Sequence, residues 1–130
     1  MTSPLLSIII PAHNEEERLP PSLDLVAQFV SSRNEDIEVI VVENGSQDNT
    51  YKVATDFQAK MTYLRVLQEK TPGKGRAVRA GMLAAIGQYR IFCDGDFSMP
   101  VDEIAWFIPT AANRYDVAIA SRELPASRRI

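Results

Sequence analysis

The chain has 130 residues, 45% of them apolar and 24% charged, with a net charge of −3. This composition excludes a disordered or fibrous chain, and the length suits one domain, 1–130, with a buried core. The negative balance argues against nucleic-acid binding by phosphate neutralisation, and the single cysteine, Cys93, excludes a disulfide framework or a thiolate metal cluster.

Leu5-Leu6-Ser7-Ile8-Ile9-Ile10 is a β-branched apolar run closed by Pro11, which suits a buried strand. A polar loop follows at 11–17, and Leu19, Leu23, Val26, Ala27 and Val30 then recur at helical spacing, with Pro20 and Pro21 acceptable in a first turn. The segment 37–42 reads as a second strand, stopping at the turn formers and helix caps of 43–50. Val53, Ala54, Phe57 and Met61 form one face of a second helix, and 62–67 reads as a third strand.

A loop at 68–75 precedes an alanine-rich helix at 76–86. Gly81 inside that helix costs ~1 kcal/mol against alanine, so close packing or a nearby ligand is expected to retain it. The fourth strand is the apolar run that ends in Asp94-Gly95-Asp96, with Cys93 as a small core residue. Val101, Ile104, Ala105 and Ile108 form another helical stripe, and 116–121 reads as a fifth strand.

Strands alternating with helices predict an α/β fold with a mostly parallel sheet flanked by helices. Ligands of such sheets sit outside the strand carboxyl ends. Four polar loops are expected there: one with Asn14 and Glu15, the 43–48 loop with Ser46, the Gly73-Lys74-Gly75 loop, and the one with Asp94 and Asp96. Their convergence describes a binding site.

Asp94 and Asp96 point the same way along an extended chain, and two adjacent carboxylates repel unless a cation lies between them or one binds a proton. The pair reads either as a divalent-metal site, since hard cations prefer oxygen, or as a solvated acidic turn. Gly73-Lys74-Gly75 fails as a phosphate loop: no glycine stands five residues earlier, and Gly75 replaces the magnesium-binding hydroxyl. It fails as a dinucleotide fingerprint too, because Val78 stands where the third glycine belongs. What survives is a lysine and a helix amino terminus presented to an anion, against a plain helix-start turn. His13, alone in a loop, reads as a structural hydrogen-bonder. Glu43 and Asp48 read as capping or as site residues, raised only by their shared loop.

Taken together, these stretches resemble family 2 glycosyltransferases. Ser7-Ile8-Ile9-Ile10-Pro11-Ala12-His13-Asn14-Glu15 is similar to that family's opening strand and loop, and 41–50 to its second loop. Gly73-Lys74-Gly75, Ala80-Gly81 and Asp94-Gly95-Asp96 come in the family's order, and Ala120-Ser121-Arg122 resembles a later Gly-Ser-Arg segment of the dolichyl- and polyprenyl-phosphate sugar transferases. The resemblance implies a GT-A fold, Rossmann-like, binding a nucleotide sugar and Mg²⁺ or Mn²⁺. It implies that Pro11, Ala12, Asn14 and Glu15 line the nucleoside pocket, with Glu43 or Asn44 near the base and Ser46 also binding the nucleotide. Asp94 and Asp96 would hold the metal and the diphosphate or ribose, with Lys74 nearby and Arg122 toward the acceptor. Glu43-Asn44 stands where the family usually has Asp-Asp, so the resemblance does not fix the base, and Ala120 stands where it has glycine, so it does not fix the role of Arg122.

The implied reaction moves a sugar from a UDP- or GDP-sugar to an acceptor, with inversion. Unit charges ~4 Å apart at an effective dielectric of ~20 interact by ~4 kcal/mol, so two bare carboxylates would oppose a diphosphate that a bridging cation would attract. No general base stands out. A lipid phosphate acceptor needs none, being ionised near neutrality with a second pKa of ~6, and Arg122, Arg128 and Arg129 read either as the charge that binds it or as an ordinary basic surface. No stretch is long enough to span a bilayer and no signal peptide is seen, so the expected place is the cytoplasm, or the cytoplasmic face of a membrane touched from its surface. The chain is expected to stop short of an acceptor half. Two rival readings remain: a nucleotide-sugar-binding module without catalysis, and a haloacid-dehalogenase-type phosphatase, whose acidic motif belongs on the first strand.

Overall fold

The computed structural model describes residues 3–94 and 104–105. Within them strands and helices alternate: β1 (Leu6–Ala12), α1 (Leu19–Ser31), β2 (Ile37–Glu43), α2 (Thr50–Phe57), β3 (Leu64–Gln68), α3 (Lys74–Ala84) and β4 (Tyr89–Phe92). The four strands form one sheet in the order β3-β2-β1-β4, and every neighbouring pair is parallel. The expected strand 116–121, most of the stripe at 101–108, Asp96 and Arg122 lie outside the described residues.

β1 and β2 are central strands covered on both faces, which is why they read as unbroken β-branched runs. Alternate residues serve opposite layers. Leu6, Ile8 and Ile10 of β1 and Ile37, Val39 and Val41 of β2 meet Leu19, Leu23, Val26 and Phe29 of α1, with Ala54 of α2 in the same cluster. Cys93 and Ile104 belong to this layer too. Ile9, Ile40 and Val42 face the other way, onto Ala77 of α3 and Ala85 just past it. The chain thus steps outward from β1 to β3 with helices on one face, then returns across the other face to β4. Reversing direction and face together keeps the hand of each crossover constant.

Close packing retains Gly81. A methyl added there would overlap Ile9 Cγ2 and approach Val42 Cγ2 to 3.1 Å, so α3 lies against the sheet at a distance only glycine allows.

Several element ends differ from expectation, each for a physical reason. Pro11 does not close β1, which runs on to Ala12. Odd positions of β1 bond toward β4, as in Tyr89 N–H to Leu5 O and Cys93 N–H to Ile9 O, both 2.9 Å. Pro11 is the next odd position, and the amide it lacks falls where pairing with β4 stops, so it breaks no bond toward β2. β3 starts at Leu64 rather than at 62, because Leu64 N–H closes a turn onto Met61 O at 2.9 Å.

α3 begins at Lys74, not 76, since the Gly73 carbonyl already accepts from Arg76 and Ala77; Lys74 and Gly75 are helix, not loop. The helix stops at Ala84, short of Ile86. Beyond it, the Ile86 and Gly87 amides donate to Glu38 Oε2 at 3.2 Å and Ser7 Oγ at 2.8 Å, partners that continued helix would forfeit.

Candidate active site at the carboxyl edge of the sheet

From β1 the chain steps outward to β3, and α3 then carries it back to β4 on the far side of β1, so the strand order reverses between β1 and β4 and the gap beyond their carboxyl ends is a topological switch point. Among the described residues the last bond of their ladder runs from Cys93 N–H to Ile9 O, and Pro11 offers no amide to extend it. Asp94 comes immediately after. Because it comes from the fourth strand of the chain, the arrangement of a first-strand phosphatase is not met.

The loops after β1 and β2 are stitched together. Asn14 sits in the left-handed region at φ 52°, which asparagine tolerates better than most side chains. Its amide donates to Ser46 Oγ at 3.0 Å, and its side-chain oxygen accepts from the Gln47 amide at 2.9 Å. The Glu15 amide donates to Thr50 Oγ1 at 2.8 Å and the Glu16 amide to Asp48 Oδ2 at 3.3 Å. The Glu15 carboxylate pairs with Arg18 at 2.7 Å. His13 Nδ1–H donates to the Asn44 carbonyl at 2.6 Å, which leaves Nε2 to accept from Asn14 Nδ2 at 3.2 Å. The histidine is therefore a brace between loops, as its isolation in the sequence suggests.

Two polar side chains at the end of β2 are buried. Glu43 accepts from the Ser46 amide and, at 3.3 Å, from Gln68 Nε2. Asn44 reaches the segment between β3 and α3, donating through Nδ2 to Glu69 O at 2.8 Å and Thr71 O at 2.9 Å, and accepting from Gly73 N–H at 3.1 Å. Asp48 caps α2 by accepting from the Thr50 amide at 3.0 Å and from the Thr50 hydroxyl. Burial works to raise its carboxyl. The hydrogen bonds from Thr50 and from the Glu16 amide outweigh that, so the group is held below its ordinary value.

Opposite them, Lys74 in the first turn of α3 forms an ion pair with Asp94. Both side chains are about half exposed, at 59% and 48%. The neighbouring Cys93 is buried, and burial, helped by the Asp94 charge, pushes its thiol up to about 12. It is no nucleophile. Among the described residues no three His, Cys, Asp or Glu side chains cluster as a metal site. Asp94 still fits a cation on its chemistry: a half-exposed hard oxygen donor at a switch point, with an ammonium group already drawn onto it.

The structure therefore brings Asn14 to Ser46, Ser46 to Glu43 and Lys74 to Asp94, with Pro11 and Ala12 at the strand end between the stitched loops and Asp94. Glu15 faces Arg18 rather than any of these. Sequence reasoning missed Gln68 as the partner of Glu43. Once the register places Glu43 opposite Gln68 at the ends of β2 and β3, the pairing of carboxylate and amide is legible.

Comparison with known proteins agrees with this geometry. The sequence matches the family model for glycosyl transferase family 2 over residues 7–127. It is 46% identical over 99 residues to a dolichyl-phosphate beta-glucosyltransferase of Drosophila melanogaster, covering 70% of this chain and 30% of that protein. Among solved structures, the mannosyltransferase of Pyrobaculum calidifontis in complex with GDP-Man and Mn²⁺ superposes with a TM-score of 0.67 at 22% identity, covering 81% of this chain and 31% of that one. Glucosyl-3-phosphoglycerate synthase of Mycobacterium tuberculosis, in complex with Mn²⁺, UDP-glucose and phosphoglyceric acid, gives 0.56 at 26% identity, covering 71% and 33%. The chain spans about 30% of the length of the curated relatives it matches. A parallel sheet with this strand order, an acid at the switch point and a family match over nearly its whole length lead to one conclusion: the chain belongs to glycosyl transferase family 2 and has its GT-A fold.

Proposed function

We propose that this chain is the donor-binding part of a glycosyltransferase that moves a sugar from a UDP- or GDP-sugar to a polyprenyl or dolichyl phosphate, with inversion. The observation that carries this reading is the placement of Asp94 beside Lys74 at the switch point between β1 and β4. Similarity to a dolichyl-phosphate glucosyltransferase, and to a synthase crystallised with Mn²⁺ and UDP-glucose, supports the acceptor and donor classes.

In this reading Pro11, Ala12, Asn14, Glu15, Glu43 and Ser46 surround the nucleoside, with Asn44 buried behind them and the stitched loops after β1 and β2 as a fixed wall. Asp94 and Asp96 hold Mg²⁺ or Mn²⁺, which when bound supplies positive charge where the departing diphosphate gains negative charge. Lys74 leaves Asp94 for a diphosphate oxygen, exchanging one anionic partner for another at little cost because the pair is exposed. Arg122 steadies the acceptor phosphate. An ionised phosphate oxygen attacks the anomeric carbon from the side opposite the diphosphate, the new carbon–oxygen bond forms as the old one breaks, and the nucleoside diphosphate leaves. No side chain need take a proton. Among the described residues no helix is long and apolar enough to cross a membrane.

The test is binding of UDP and GDP to the chain by calorimetry, with Mn²⁺ and with chelator, in the native protein and in Asp96→Ala. Metal-dependent binding that Asp96→Ala abolishes supports the reading. Equal affinity with and without metal sinks it. Transfer from UDP-glucose to a polyprenyl phosphate by this chain then separates catalysis from a binding module alone.

A further inference from the structure

We infer that Asn44 is a positioning residue that holds the amino end of α3, and with it Lys74, over the carboxyl end of β4; its role in binding rests on the anion site proposed above. The family resemblance sets Glu43 or Asn44 near the base. In the fold Asn44 is only 6% exposed and its polar atoms are already engaged. Nδ2 donates both of its hydrogens, to Glu69 O and Thr71 O, while Oδ1 accepts from Gly73 N–H. Its main chain is engaged as well, the amide donating to Ala12 O at 2.9 Å and the carbonyl accepting from His13. One residue thus ties the ends of β1 and β2 to the segment that leads into α3.

The chemistry selects an amide. Two carbonyls and one N–H converge on a single planar group, and only a side chain with two donors and an acceptor satisfies all three. Aspartate of the same shape has acceptors alone. It would face two carbonyl oxygens and leave a buried charge unpaired. The grip also fixes where the helix starts. Gly73 holds φ +130°, a conformation L side chains rarely adopt, so the backbone is at its most permissive just before the helix. Its N–H is pinned by Asn44, its carbonyl accepts from Arg76 and Ala77 to open α3, and the next residue is Lys74, paired with Asp94. A continuous path therefore runs from the end of β2 through Asn44, Gly73 and Lys74 to the end of β4.

Two measurements test this. First, hydrogen exchange of the Gly73 amide in the native chain is expected to be slowed at least about tenfold relative to an unprotected glycine; exchange at the unprotected rate overturns the inference, and this readout needs no variant to fold. Second, UDP and GDP affinity with Mn²⁺ is measured for Asn44→Asp, Lys74→Met and the double variant. Each single change is expected to weaken binding about tenfold, and the double no more than the weaker-binding single, because Asn44 acts through Lys74. Losses that multiply, or an Asn44→Asp chain with native affinity, overturn it. If the native chain binds neither diphosphate, the proposed function fails, while Gly73 protection still decides whether Asn44 fixes the helix start.

Discussion

Substituting Gly81 by alanine sets two effects of opposite sign against each other in one helix. On an isolated helix the change gains ~1 kcal/mol, because alanine is the better helix former. In this fold the new methyl would overlap Ile9 Cγ2, lie 3.2 Å from Ile9 Cγ1 and 3.1 Å from Val42 Cγ2. Ile9 and Val42 are fully buried β-branched residues on central strands, so neither can turn aside cheaply, and α3 must lift from the sheet. Overpacking of this kind costs ~1–3 kcal/mol, and overlap with backbone-fixed side chains belongs at the upper end. The net expectation is a loss of about 2 kcal/mol and, for a chain of this size, a Tm lowered by about 8 °C. Gly75→Ala in the same helix is the control, since a methyl there meets nothing within 4 Å, and it should leave Tm unchanged or slightly raised. Thermal unfolding measured by circular dichroism reads all three proteins. A Gly81→Ala chain as stable as the parent would refute the claim that helix–sheet contact, not a ligand, retains this glycine.

Two further outcomes concern single side chains. Asp48→Ala should cost about 1 kcal/mol at pH 7 by removing the acceptor at the start of α2. The Asp48 carboxyl is held below its ordinary 3.8, so its contribution is complete above that value and fades as pH falls through the lower folded value. Denaturant titrations should show the gap between parent and variant closing only below pH ~4; a gap that widens on acidification would reverse the sign argued here. Cys93, buried with its thiol raised to about 12, should resist iodoacetamide at pH 8 in the native chain and react promptly in denaturant. Labelling at equal rates in both conditions would remove it from the core.

The layers were legible because their signals are periodic. Leu19, Leu23 and Val26 recur with the period of a helix, and the unbroken runs of β1 and β2 mark strands covered on two faces. The convergence of four loops was equally readable, since parallel strands put their carboxyl ends on one edge. Pro11 misled because a proline usually stops a strand, and only the register reveals that the bond it lacks lies beyond the end of β4. The partners of Asn44 were hidden for a different reason: Glu69 and Thr71 take part through main-chain oxygens, which every residue carries and no side chain advertises. Lys74 and Asp94 stood 20 positions apart in two loops, and their direct pairing required the length of α3 to be known.

The left-handed backbone at Asn14 has a consequence for how a ligand would be received. Because that residue and Ser46 and Gln47 exchange bonds across the first two loops, this wall is preorganised and loses little conformational entropy on complex formation. The exposed ion pair on the other side is a soft, hydrated contact that salt can screen. Recognition on this edge should then divide into a rigid, salt-insensitive half and an adaptable half whose strength falls as ionic strength rises.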